Sequence, residues 1–460
     1  MSRATLKARP TRSRADRALD ALRDPLYRTG YALVANTAGT TAIGVVYWAV
    51  AAHLYDRQAL GRCSALVSAL ILVSSLAQLN LANTLPRFLP RAGRSAGRLI
   101  TYSYGASSIV ALAAGLAFVT VMPRVNAQWQ FLGASPPLAI LFVVATVLWG
   151  VFTLEDAALA GLHRAVVVPA ENTVYGVFKL LLLVAVASVL SSTGIFASWV
   201  IPLVAIVPAI NWLIFRRYLV DRESAAAAPE LSARKILRFA SGNYLGSLFA
   251  QVGGQTLLPL LVLSALGAAA NSSFYVAWMI ASGLELVALS FGTSLLVEAS
   301  AAPHRLAQLT RGVLVRCAVV TVPGAAVLVL AARPILLIYG PAYASQASAL
   351  LAMLGVATIP ASFVLVVLSL DRIARRVGRA AVSQLALAVL MLGGSWLLLG
   401  KLGINGVGLA WVGANVLVAL ARCPTVIGAA RGRTAPAPAP TPAVRPTAEP
   451  GPDVRTRPYG

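Results

Sequence analysis

Twelve long apolar stretches run through the chain, and its basic residues gather in every second gap between them. Of the 38 Lys and Arg, 32 fall in the lead before the first stretch, in alternate gaps after it, and in the tail. The groups run from Arg3 to Arg28, Arg87 to Arg98, Arg164, Arg216 to Arg238, Arg305 to Arg316, Arg372 to Arg379 and Arg422 to Arg457. The remaining gaps hold Arg57, Arg62, Arg124 and Lys401, with Arg333 near a stretch end, and Lys179 lies inside a stretch. Basic loops are retained on the cytoplasmic side of a membrane, so this alternation predicts an even number of spans with both termini inside. At 58% hydrophobic and 12% charged residues, with mean hydropathy +0.78, the chain does not have the composition of a soluble globule. The bilayer has to stand where a hydrophobic core would.

A span needs about 20 apolar residues. Candidate spans cover 29–54, 63–86, 99–122, 137–162, 165–190 and 194–215, then 239–264, 271–298, 315–338, 346–370, 380–400 and 404–421. The longest internal gap, 216–238, splits six from six. The expected architecture is all-α and polytopic: two related six-helix lobes, 29–215 and 239–428, around a central cavity. A basic cytoplasmic lead at 1–28, a cytoplasmic linker at 216–238 and a disordered Pro-rich tail at 429–460 complete the division. Part of the lead, 15–26, reads as a short surface helix or as a solvated topology signal. Kinship between the halves rests on Gly194-Ile195 against Gly403-Ile404, Leu60-Gly61 against Leu266-Gly267, and Asn36 against Asn243, at offsets of 206 to 209. Six spans per copy make the repeat parallel, about an axis along the membrane normal.

Several function classes drop out on composition. A net charge of +23 spread over alternate gaps suits anionic lipid headgroups better than nucleic acid. Cys63, Cys317 and Cys423 have neither CxxC nor metal-ligand spacing and read as packing residues near helix ends. Ala49-Val50-Ala51 resembles a signal-cleavage site, but the stretch before it is too long for a signal core. Outer gaps such as 191–193, 267–270 and 340–345 are short, and the only acid among them, Asp56, has only His53 beside it. An outer-face enzyme needs more than that for general acid–base work, so no catalytic residue, metal or cofactor is expected. A path through the protein becomes the default reading.

Charged side chains at mid-membrane cost about 2.5 to 3.5 kcal/mol on insertion scales, so each needs a reason. Lys179 shares a helical stripe with Asn172 and Tyr175, flanked by Glu171, and Glu285 lies mid-span in the eighth stretch. Lys179 can meet an anionic headgroup in a cavity while Glu285 changes charge during a transport cycle; equally, the two can neutralise each other as packing elements. Glu155, Asp156, Glu298 and Asp371 lie nearer the cytoplasmic ends and read as interfacial or salt-bridged. Asn243, Ser247, Gln251 and Gln255 form a polar stripe in the seventh stretch, matched by Asn36, Thr40, Thr41 and Tyr47 in the first. Such stripes suit a shared cavity or interhelical hydrogen bonds of about 0.6 kcal/mol each. Arg28, Arg87 and Arg238 stand at cytoplasmic mouths, where topology alone also places arginine.

The segment RPILLIYGPAYASQA, Arg333 to Ala347, resembles the outer turn after the ninth helix in polysaccharide exporters of the multidrug/oligosaccharidyl-lipid/polysaccharide (MOP) flippase superfamily, with Gly340 and Tyr343 in the matching places. ALGRCSALVSALILVSSLAQLNLANTLPRFLP from Ala59 and GINGVGLAWVGANV from Gly403 are similar in the same way, so the likeness spans 30–425. It implies two lobes facing a cavity lined by helices 1, 2, 7 and 8, and as cargo a polyprenyl-pyrophosphate-linked oligosaccharide moved by alternating access. Lys179 and Arg238 would then meet the pyrophosphate. The first span lacks the acid usual in drug-exporting relatives between Tyr31 and Leu54. The chain also lacks the fourteen spans and several intramembrane arginines of lipid II flippases. RFLPRAGRSAGR lacks the acid of a major-facilitator loop.

The leading expectation is therefore an O-antigen or polysaccharide-unit flippase in the plasma membrane of a bacterium, whose GC-rich genome would explain the Arg, Ala and Gly content. Its partners would be the polyprenyl-linked glycan, membrane lipids and a polysaccharide polymerase or glycosyltransferases, with no nucleic acid. The alternatives are a multidrug-type cation antiporter and a non-transporting scaffold that recruits glycan enzymes through its basic loops and Pro-rich tail.

Overall fold

A computed structural model describes residues 25–219, 233–242, 244 and 256–432. The described chain is helical throughout, without a strand. In order, α1 is Pro25–Leu54, α2 Arg57–Ala77, α3 Leu81–Phe88, α4 Ala96–Val125, α5 Pro136–Gly161, α6 Val167–Ala185 and α7 Gly194–Leu213. Then come α8 Ala233–Gly242, α9 Leu257–Leu266, α10 Ala268–Ala301, α11 Leu306–Leu330, α12 Pro341–Ile373, α13 Val377–Leu402 and α14 Ile404–Ala430. Ten segments among the described residues are long and apolar enough to cross a membrane, and the shorter apolar helices Thr41–Leu54 and Leu257–Leu266 make the twelve. The chain is a multi-pass membrane protein of two six-helix lobes.

Helix starts carry the repeat more clearly than glycines do. Arg57 and Ala268, Ala96 and Leu306, Val167 and Val377, and Gly194 and Ile404 open matching helices, each pair 210 or 211 residues apart. The 206-residue pairing of Gly61 with Gly267 is therefore out of register: Gly61 sits in the second turn of α2, while Gly267, at φ +85°, precedes α10. A single glycine serves a local need, here close approach in one copy and a left-handed turn in the other.

Several boundaries differ from those expected. The span at 63–86 starts instead at Arg57, capped by Asp56, whose carboxylate accepts from the Ala59 amide at 2.6 Å, and stops at Ala77. Leu79 and Asn80 have positive φ, which breaks the helix before α3. The span at 315–338 begins at Leu306, so Arg311 and Arg316 lie on a helix rather than in a gap. The last span continues to Ala430, because Arg422 folds onto buried Asp371 of α12 and makes a charged position compatible with helix. Cys63, Cys317 and Cys423 are interior positions of α2, α11 and α14, not end positions, and all three are free thiols. The lead to Asp24, most of the linker and the tail from Arg433 lie outside the described residues.

Packing within the amino-terminal lobe centres on α2, which is buried along most of its length against α4, α5 and α7. In the other lobe α12 takes that place, against α10, α11 and α14. The two lobes meet chiefly where α2 packs on α9 and α10.

Candidate functional site

The seam between the lobes is shut at the end away from the arginine-rich gaps. A Cβ on Gly61 would stand 1.8 Å from the Ala268 carbonyl oxygen, so the backbones of α2 and α10 touch there. Asn271 donates to the Gly61 carbonyl at 2.8 Å and to Ser64 Oγ at 3.2 Å. Arg57 Nη2 reaches the Ala269 carbonyl at 3.0 Å, Ser273 Oγ at 2.8 Å and Gln346 Oε1, and its guanidinium lies 5.5 Å from the Tyr343 ring. One residue of the first lobe thus ties down the starts of two helices of the second. Asn126 and Trp129 add hydrogen bonds to the Ser264 carbonyl and hydroxyl at 3.1 and 2.9 Å. Tyr343 and Gly340, the two residues of the exporter-like motif, form this latch: Gly340 turns at φ +122° and seats Tyr343 under Arg57.

Toward the other end a cavity of about 530 Å³ opens inside the carboxy-terminal lobe. Glu285 and Thr293 of α10, Ser369 and Arg372 of α12, Gln384 of α13 and Asn415 of α14 give it polar groups, and Ser75 of α2 closes one side. Its wall comes from α2, α10, α12, α13 and α14, with Thr256 just before α9, so of the helices 1, 2, 7 and 8 expected to line a cavity the first contributes nothing here and three helices of the carboxy-terminal lobe share the lining. Glu285 is among the residues that line this cavity.

Lys179 does not face it. The ammonium is enclosed by rings, 3.9 Å from the centroid of Trp199, 4.8 Å from Tyr47 and 5.2 Å from Tyr175, and the residue is 8% exposed. Tyr47 is held by the Ile195 carbonyl at 3.0 Å and Ser198 Oγ at 2.7 Å, and Tyr175 by the Trp199 carbonyl at 2.9 Å. Both hydroxyls are spent on backbone or side chain, leaving the ring faces to the cation. Among the described residues Lys179 has no ion pair, so neither an open headgroup contact nor a Lys179–Glu285 pair is present. Tyr175, one turn before Lys179 on the same helix, carried part of this signal; Tyr47 and Trp199, on other helices, did not.

Arg87 of α3 and Arg238 of α8 come together at the arginine-rich end. With Arg91, Phe88 and Phe239 they line a pocket of about 340 Å³. Arg87 stacks 4.3 Å over Phe239, and Phe88 packs edge-on to the same ring at 5.5 Å. Asn80 donates to the Ala240 carbonyl at 3.3 Å, and Tyr244 to the Leu76 carbonyl at 2.8 Å, which fixes α8 against the α2–α3 break. Arg91 and the two rings were not singled out from the sequence, where neither ring's position is distinguishable from lipid-facing Phe. Arg28 and Asn36 lie on the first half of α1, outside the residues whose side chains are described, and Asn243, Gln251 and Gln255 lie outside the described residues. Among the described residues no group of three or more His, Cys, Asp or Glu could hold a metal ion.

Two six-helix lobes meet at a seam that is shut at one end and carries polar groups toward the other. Solved structures with this arrangement include a multidrug resistance MATE family transporter of the MOP superfamily in its inward-facing conformation. That match has TM-score 0.62 at 13% identity, covering 86% of this chain and 96% of that one. The outward-facing conformation of such a transporter matches with TM-score 0.60 at 15% identity, over 87% and 96% of the two chains. A MOP superfamily transporter from Pyrococcus furiosus, described as having a binding pocket of reversed polarity that suggests a different function, matches at 0.58 and 14%, over 87% and 96%. The fold is that of these transporters. No family model and no curated protein matches the sequence.

Proposed function

We propose that the protein moves a polyprenyl-pyrophosphate-linked oligosaccharide across the cytoplasmic membrane by alternating access between its two lobes. The supporting observation is the juxtaposition of Arg87, Arg91 and Arg238 around one pocket at the arginine-rich, cytoplasmic end of the lobe seam. Three guanidinium groups, with no carboxylate lining the pocket among the described residues, suit a pyrophosphate, which they can grip bidentately, and the two Phe rings suit the first isoprene units. The cavity beyond, with hydroxyl, amide and carboxyl groups, suits sugar hydroxyls. No covalent chemistry is required of the protein; membrane lipids and the enzymes that build or polymerise the glycan are its natural partners.

A second reading, export of small cationic drugs, is favoured by the multidrug transporters that share the fold. Charge reversal separates the two. In cells carrying Arg87→Glu with Arg238→Glu, the complete lipid-linked glycan should accumulate and surface glycan fall at least tenfold while the protein still inserts. Normal glycan with lost drug resistance would refute the flippase and establish the antiporter.

A further inference from the structure

Lys179 is held by rings rather than by an anion. Its ammonium stands over Trp199 of α7, Tyr47 of α1 and Tyr175 of α6, and among the described residues no carboxylate pairs with it. The acid of its own helix, Glu171, is two turns away, about 12 Å along the axis. Each wall of the box is fixed without help from the lysine. The Tyr47 and Tyr175 hydroxyls are anchored on α7, and both rings meet Trp199 edge-on at 6.4 Å. Trp149 of α5 packs behind them, 5.6 Å from Trp199 and 6.0 Å from Tyr175, and Phe152, one turn on, lies 5.2 Å from Tyr175. Ile43 of α1 packs on Gly176, one turn before Lys179, where an added Cβ would stand 3.2 Å from its Cγ2.

An apolar side chain of the same length would fill this volume without taking a charge out of water, so packing alone does not call for a lysine here. What the rings supply beyond volume is the negative face of three π systems, which attracts a desolvated ammonium. We propose that Tyr47, Tyr175 and Trp199 form a binding site for a primary alkylammonium ion, and that Lys179 is its resident occupant. Self-occupancy makes Lys179 a specificity-determining residue that closes the amino-terminal lobe to organic cations.

Two effects exclude a competing cation. The site is full, and the fixed charge of Lys179 repels a second ammonium in surroundings of low dielectric. Truncation at Cβ removes both. Lys179→Ala deletes Cγ, Cδ, Cε and Nζ, and propylammonium carries those same atoms, three carbons and a nitrogen, in the same order. Rings braced from behind by Trp149 and Phe152 do not collapse into the gap, and an apolar gap of this size stays dry until a ligand fills it. The inference goes beyond the proposed function and is independent of the glycan; it bears on cation export, which Lys179 opposes.

The test uses the full-length protein in detergent and phospholipid micelles, with carbon-13-labelled propylammonium chloride as the probe at neutral pH, where a primary amine is protonated. Protons over a ring face resonate upfield of their free position, so the spectrum reads occupancy directly. The lysines of the chain are Lys7, Lys179, Lys235 and Lys401. With lysine labelled at Cε, the parent should show one upfield-shifted signal, lost in Lys179→Met. Lys179→Ala should bind propylammonium saturably, with the methylene signals shifted upfield, the melting temperature raised, and an affinity at least about tenfold above that for propanol. The parent and Lys179→Met should bind neither. A Lys179→Ala protein that folds poorly should recover when the amine, but not the alcohol, is present during purification. An unshifted Lys179 signal in the parent, no amine-dependent shift or recovery in Lys179→Ala, equal binding of propanol, or saturable binding of the amine to the parent would each overturn the proposal. None of these readouts involves glycan, so the flippase reading and this one fail separately.

Discussion

Removing Arg57 should open the shut end of the seam. Its Nη2 carries two hydrogens and faces three acceptors, so at most two strong bonds form at once. Hydrogen bonds to a charged group are worth roughly 1.5 to 3 kcal/mol each, and a half-exposed cation–π contact such as that to Tyr343 adds about 0.5 kcal/mol. In the open state the guanidinium is hydrated, which recovers part of this. The net loss on Arg57→Ala is then roughly 2 to 4 kcal/mol, a change of about 30- to 900-fold in the ratio of closed to open. If the closed end holds about 99% of molecules, the variant becomes a mixture or mostly open. Labels at Ala134→Cys and Ser345→Cys, on exposed positions of the two lobes at this end, report it by electron–electron distance measurement. Cys423→Ser removes the one partly exposed native thiol, since Cys63 and Cys317 are buried. A distance distribution in Arg57→Ala that matches the parent would refute the latch. Arg57→Lys keeps the charge but not the fork and should fall between the two.

Gly61→Ala puts a methyl where the Ala268 carbonyl stands, so the same labels should report a splayed seam, with export reduced at least tenfold and the amino-terminal lobe still folded; an unchanged distance would show that α10 yields. Lys179→Met fills the aromatic box with a side chain of similar length and removes a buried cation, so export should stay within about threefold of the parent and thermal stability hold or rise. Loss of export in a folded Lys179→Met would return Lys179 to ligand contact.

The helical spans were legible because apolar length is a strong signal that does not depend on packing, and the all-α fold follows from it. The site was legible only where a residue type is costly in lipid whatever its neighbours: Lys179, Glu285 and the mouth arginines stand out for that reason. Their roles then depended on residues from other helices. Trp199 decides that Lys179 is enclosed, and Phe239 and Arg91 decide that Arg87 and Arg238 share a pocket. Arg57 was visible as one of the few basic residues in the outer gaps, but its three acceptors lie more than 200 residues away. Glu155, expected to be interfacial or salt-bridged, is instead fully buried and accepts a hydrogen bond from Asn211 of α7, because nearness to a span end looks the same whether a side chain turns out to headgroups or in to a neighbouring helix.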